Sequence, residues 1–475
     1  MRAPRFALLA ALTLALAGCI TSTDLPQGTA PVPLPERGPF VDPIPEDDGH
    51  DHADAAQHNF STPTMEQIGF NILSGEETAY SYIGEMDWRG DLLVVQVLGR
   101  GSMPGFVLVN VSDPRNPQVV GRADLPYSYV VDVKFSPDGT RVFAASQAGT
   151  SRAPLIPGGL DLSYLNRNGV AVFDIRDPAQ PLLEGVMPVE PSGCHMLSVA
   201  EVAGGLHVFC VADTIAIFVV EEDPQGKWTL LPVGQYSPQS TAGTDETIES
   251  RETAPGPLPH DMTFQFDPVD GTPLLYVSYW DLGLRVVDVS NPRAPREVGT
   301  WAGQGAARYE GNVHGAAPTV VDGKRYVVVG PELLSDNPPA LYVLDATDYR
   351  NMQLVGEWIP PGEHGAEGLL LTTHQFQLID GRLYLAYNHA GVWVLDLRAI
   401  INGTHVDNPE RPEVLGYYLP HEPVKVFDPK LAKVPNTWDV VVRNGAIYGS
   451  DRYTGLYVLH YLPDELGNPA LSSVT

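Results

Sequence analysis

Apolar and polar residues alternate at every second position over much of this chain, in short runs closed by Pro, Gly, Asn and Asp. The stretch "GLRVVDVSNPRAPREVG" at 283–299 shows the unit: an alternating strand, an Asn-Pro and Ala-Pro turn, then a second short strand. The same unit returns as "FVLVNVSDPRNPQVVG" from Phe106, "VAVFDIRDPAQPLLEG" from Val170 and "LYVLDATDYRNMQLVG" from Leu341. "VWVLDLRAI" at Val392 opens a longer copy, "TIAIFVVEED" at Thr214 is a worn one, and "GLYVLHYL" ends the series at Leu462. A period of two excludes amphipathic helices. Recurrence at roughly 40–60 residues marks a propeller or solenoid.

The chain divides into seven units of four short strands, A to D, the first at 81–88, 92–97, 106–111 and 118–122. Strand A recurs near 129–135, 194–199, 260–266, 314–320, 374–379 and 438–443. The expected fold is all-β, a seven-bladed β-propeller, since sheets arrayed around an axis leave only short protected edges. The seventh unit stops at strand C. Its missing strand is expected from residues 69–73, pairing with 456–461 and closing the ring by joining the two ends.

The C–turn–D stretches resemble the LVIVD repeat of bacterial β-propellers, whose core reads like L-x-V-x-D-x-S-x-P-x-x-P-x-x-x-G. The likeness is specific in the units from Phe106, Val170 and Leu284, and degraded in the third and seventh. The turn has a physical rationale: Asp or Asn before Pro sets an Asx-type turn, and the second Pro restricts re-entry to strand D. Asp174, Asp288, Asp345 and Asp396 end strand C, where a carboxylate can accept bonds from turn amides.

In a propeller the D–A and B–C loops share one face. Most long insertions fall there: 237–259, 302–313, 360–373 and 420–437 as D–A connections, 147–168 and 330–340 as B–C connections. Only 399–408 falls on the other side. Long loops within a compact domain are where function concentrates. Strand A opens with "CHML", "PHDM", "VHGA" and "THQF", which sets His195, His260, His314 and His374 at matching positions in four successive units. Val131, Trp438 and a residue near Ile83 take that slot in the others. Four imidazoles converging on the channel would suit a single Fe, Cu, Zn or Mn ion. Seven-bladed enzymes resembling carotenoid cleavage oxygenases hold iron with four axial histidines, and selenium-binding-protein-like methanethiol oxidases are His-rich propellers. The LVIVD repeat itself often reads A-H-D-V here, which makes inherited scaffold the competing reading. Glu310, Glu363 and Glu367 lie on the same face, and Trp280, Asp281, Tyr387, His389, Asp451 and Arg452 are its other candidate ligand residues.

Charge and termini narrow the setting. With 58 acidic against 29 basic residues the net charge is −29, which argues against nucleic acid and anionic lipid as partners. "MRAPRFALLAALTLALAGC" has the layout of a secretory signal and its end resembles the lipobox of bacterial lipoproteins. That resemblance implies cleavage before Cys19, lipidation of its thiol and, with Ile20 following, the outer membrane. The expected organisation is a signal peptide at 1–18, a tether at 19–62, the propeller at 63–465 and a tail at 466–475. The tether is rich in Pro and acidic residues, with His50, His52 and His58 as loose chelators at most. Cys194 and Cys210 share one hairpin in an oxidising compartment. A turn centred on Ala203-Gly204-Gly205 would set Cys210 opposite Ser198, so a disulfide would need a register shift.

No nucleophile elbow, phosphate loop, dinucleotide fingerprint or H-E-x-x-H is present. Two functions are therefore expected to compete. One is a non-catalytic, monomeric envelope module holding a protein or small ligand, attached to the membrane by its lipid alone. The other is a metal-dependent oxidoreductase or oxygenase-like enzyme with a four-His centre.

Overall fold

The computed structural model describes residues 61–73, 82–98, 104–126, 128–148, 168–238, 258–280, 282–303, 313–332, 340–360, 372–404, 408, 410–420 and 435–464. They form seven four-stranded antiparallel sheets, six of them with their strands in sequential order. Blades 1 to 6 span 83–124, 128–188, 197–236, 261–301, 313–358 and 373–418. Blade 7 takes three strands from 437–461 and its outermost strand, Met65–Asn71, from the other end of the chain. Met65 pairs with Tyr461, Gly69 with Val458 and Asn71 with Leu456, consistent with the expected closure. Ile72 and Leu73 lie beyond the paired strand.

The first strand of every blade touches the first strands of both neighbours, so these seven strands line the axis. Burial follows: blade strands such as Gly105–Asn110, Leu284–Asp288 and Leu341–Asp345 carry apolar residues on both faces, because each sheet is covered on both sides. Seven apolar clusters fill the seven gaps between blades. At the C–D turns, Asp174, Asp288, Asp345 and Asp396 each accept the N–H two residues on, which is the expected Asx turn. Blade 6 continues that turn into a short helix, Leu397–Ile401.

The blade 3 hairpin corrects the expected cysteine register. Ala203 and Gly204 alone make the turn, both at positive φ (52° and 79°), as a two-residue hairpin loop requires. Cys210 therefore faces Leu197 and not Ser198. Upstream of Leu197 the chain leaves the ladder: His195 N–H donates to the Val211 carbonyl at 2.7 Å, and Val211 N–H to that of Met196 at 2.8 Å. This brings Cys194 to a Cα–Cα distance of 5.7 Å from Cys210, and the two form a disulfide.

Candidate metal centre

Where the axial strands begin, the ladder skips residues. Register breaks fall between Ile83 and Met86, Val130 and Asp132, Val313 and Gly315, Thr373 and Phe376, and Thr437 and Asp439. Such bulges re-aim the side chains they release. Released here are Gly84 with Glu85, Val131, His314, His374 with Gln375, and Trp438. His195 and His260 stand just before their strands, with the His260 N–H on the Ser278 carbonyl at 2.8 Å.

The four expected histidines do come together, as an arc across blades 3 to 6. Ring centroids lie 4.5 Å apart from His195 to His260, 4.6 Å from His260 to His314 and 4.3 Å from His314 to His374. Tryptophans flank the arc. Trp280 stands 3.9 Å from His260 and Trp438 3.6 Å from His374. Trp280 holds a positive φ of 43°, costly for a bulky residue, and its carbonyl accepts the N–H of Val313 at 3.2 Å. Gln96 and Trp438 fill the space of a side chain at Gly84: a Cβ there would meet Gln96 Oε1 at 2.4 Å and Trp438 Cδ1 at 2.8 Å.

A fifth residue, missed in the sequence, completes the group. Glu332 Oε2 lies 3.7 Å from His260 Nε2 and 3.7 Å from His314 Nε2. The three ligand atoms all fall within 4.8 Å of one another. Ligands at about 2.1 Å from a tetrahedral ion stand about 3.4 Å apart, so the set needs little adjustment to close on one. Glu332 follows Pro331, the partner of Val313 in the ladder, and so sits at the strand B exit beside His314. Gln147 occupies the corresponding exit in blade 2 and Arg452 that in blade 7. Gln147 Oε1 lies 3.2 Å from His195 Nδ1.

Electrostatics keep the imidazoles available as ligands. Burial lowers His195 to about 4 and His314 to about 3, and pushes His260 and His374 well below the usual range. The contacts to Glu332 are therefore not ion pairs at neutral pH. Burial raises Glu332 to about 7 against the opposing charge of Arg452. The Nδ1 atoms of His260, His314 and His374 are buried without a hydrogen bond of normal length among the described residues, and His374 Nδ1 stands 3.7 Å from Glu85 Oε1.

Directly below lies a layer of buried carboxylates in the next register position. Asp132 accepts Leu197 N–H of the following blade at 2.9 Å, and Asp439 accepts Met86 N–H at 2.7 Å. Each also caps the N–H of its own successor, Val133 or Val440. Asp261 accepts from Met262 N–H and from Gln375. Although burial alone would lower Lys134, Asp132, Glu85 and Asp87 raise it and hold it protonated among them. Burial lifts Asp261 and Asp439 to about 7.

The other face candidates divide. Arg452 lies flat over Trp438 at 3.4 Å, and Trp280 lines the arc. Asp451 is structural: its oxygens accept from the N–H groups of Asn436, Tyr453 and Thr454 and from the Thr454 hydroxyl. Tyr387 is fully buried in the core between blades 5 and 6, 6.2 Å from Trp358. His389 is buried in a short 3-10 turn, Asn388–Ala390. Asp281, Glu310, Glu363, Glu367 and Cys19 lie outside the described residues.

Residues 274–302, in blade 4, match the LVIVD repeat family. The chain carries an LVIVD repeat in a seven-bladed β-propeller. Among solved structures it is similar to Saccharomyces cerevisiae Sqt1, at 11% identity and a TM-score of 0.47, covering 81% of this chain and 83% of that one. No curated protein matches the chain.

Proposed function

We propose that this LVIVD-repeat propeller is a metal-dependent envelope protein that binds one divalent transition metal through His260, His314 and Glu332. The observation that carries this reading is the placing of two neutral imidazole nitrogens at 3.7 Å from one half-buried carboxylate oxygen. Two histidines and one carboxylate suit iron, zinc or manganese, and three protein donors leave coordination positions for a substrate. A metal there would supply Lewis acidity or one-electron chemistry, and the chain's own residues would hold and orient it. Away from that centre, the rings of His260 and His314 pack against the ring of Trp280, which would hold both imidazoles in place. Lipidation of Cys19 and outer-membrane attachment belong to the same reading and are supported by the sequence alone.

Elemental analysis tests it. The mature chain carries His50→Ala, His52→Ala and His58→Ala, so that the tether contributes no metal. About one equivalent is expected, lost in His260→Ala and His314→Ala. No bound metal after reconstitution would favour the non-catalytic binding module, with the histidines as repeat scaffold. Labelled fatty acid incorporated into the wild type and not into Cys19→Ser would support the anchor, and equal labelling would refute it.

A further inference from the structure

We infer that the histidine-rich stretch of the tether, "GHDHADAAQH" at 49–58, is a delivery arm that captures a divalent transition metal and passes it to the axial centre. This deepens the metal reading above and rests on it. The stretch carries His50, His52 and His58 with Asp51 and Asp54, and Glu46, Asp47 and Asp48 precede it. Imidazole and carboxylate are the donor types of the centre itself, and clustered acids raise the local concentration of cations. The stretch lies outside the described residues. What ties it to the centre is the place where the chain enters the fold.

That place is on the face that carries the histidines. The Thr64 hydroxyl donates to the Leu415 carbonyl at 2.8 Å, Thr62 N–H to the Tyr417 carbonyl at 3.1 Å, and Ser61 bridges to Tyr418. From Thr64 back to Ser61 the chain therefore runs along the outer edge of blade 6, towards the end of its strand D. That end lies on the face where each strand A begins, and His374 stands there at the start of strand A of the same blade. The ladder supplies the distance. Ser61 faces Tyr418, Tyr418 pairs with Val392, Val392 with Ala386, and the next residue, Tyr387, with Thr373, the neighbour of His374. Four strand spacings of about 4.8 Å set Ser61 about 20 Å from the axial strand.

A chain spans at most about 3.3 Å per residue, which sorts the three histidines. His58 reaches about 10 Å from Ser61 and falls short. His52 and His50 reach about 30 and 36 Å and span the gap. Burial gives the arm its use. The His314 side chain is 2% exposed and that of His260 12%, so a hydrated ion must shed water before it enters. An arm that holds the ion at an effective concentration on the order of 1 mM makes entry intramolecular. The dication passes over with its charge unchanged: its bonds to the tether imidazoles break as bonds to His260, His314 and Glu332 form, and any proton on Glu332 leaves to solvent.

The test is stopped-flow loading of the mature, metal-free chain with one equivalent of cobalt(II) at micromolar concentration, followed by the visible spectrum of the centre. The wild type is compared with a double variant, His50→Ala with His52→Ala, and with His58→Ala. The double variant is expected to load at least fivefold more slowly, and His58→Ala within twofold of the wild type. Cobalt affinity of the centre at equilibrium should stay within twofold in all three. A peptide of residues 44–60, added at the protein's own concentration, should not restore the rate. Loading of the double variant at the wild-type rate, equal slowing in His58→Ala, or full rescue by the peptide would overturn the inference while leaving the metal reading intact. A wild type that develops no cobalt spectrum sensitive to His260→Ala would overturn both.

Discussion

The channel wall carries two adjoining layers at consecutive positions of the axial chain segments, histidines from blades 3 to 6 and carboxylates from blades 2, 4 and 7, and they differ in how their polar atoms are satisfied. In the carboxylate layer every side-chain oxygen of Asp132, Asp261 and Asp439 accepts a hydrogen bond. Asp132 and Asp439 reach the backbone of the next blade, so this layer stitches the ring together. In the histidine layer three of four rings leave Nδ1 buried and unbonded among the described residues. A bonded layer explains itself as scaffold. In the histidine layer it is the Nε2 atoms of His260 and His314, turned towards one shared carboxylate, that offer a place for a metal.

The contrast can be broken most forcefully from the scaffold side. Asp132→Ala leaves two amides uncapped and takes from Lys134 its hydrogen-bonded carboxylate, which should cost about 3–5 kcal/mol in denaturant unfolding. A loss below about 1 kcal/mol would deny this layer its structural role. The disulfide that pins the chain beside His195 closes a sequence separation of 16 residues, and removing it with Cys194→Ala and Cys210→Ala should cost about 3 kcal/mol. Equal stability of the oxidised and double-mutant proteins would show the bridge to be absent.

Glu332 gives a pH signature. Its folded value near 7 lies above the ordinary 4.5, so the metal-free folded state holds this proton more tightly than the unfolded chain does. The associated stability is complete below pH 4.5 and is lost as pH rises to 7. Glu332→Gln should therefore gain on the metal-free wild type across that window, by about 2 kcal/mol once its partial exposure is discounted. A pH-independent difference between the two would contradict the buried-carboxyl placement. The smallest effect belongs to the histidines. Without metal, His260→Phe should change stability by under about 1 kcal/mol, because it removes a nitrogen that bonds nothing. A loss above 2 kcal/mol would mean that the ring is a bonded scaffold element.

Much of this was legible because repetition exposes equivalent positions. The alternating runs and Pro turns mark the strands, and the lone strand C at the end of the chain implies a closing strand near Gly69. The histidine slot was legible for the same reason. Glu332 was not, since it stands at a loop entrance where no periodicity singles it out. Its signal was positional: it exits strand B of the hairpin whose strand A begins at His314. The cysteine pairing escaped because the chain leaves the ladder upstream of Leu197, and spacing arguments assume a regular register. Asp451 and Tyr387 looked like ligand residues because sequence cannot tell a buried, bonded group from one on the rim.

The most direct measurement is anomalous diffraction from crystals of the tether-substituted chain grown with cobalt or zinc. One peak is expected about 2.1 Å from His260 Nε2, His314 Nε2 and a Glu332 oxygen. A map with no peak at the histidine arc under saturating metal would contradict the proposed centre and return these residues to the scaffold.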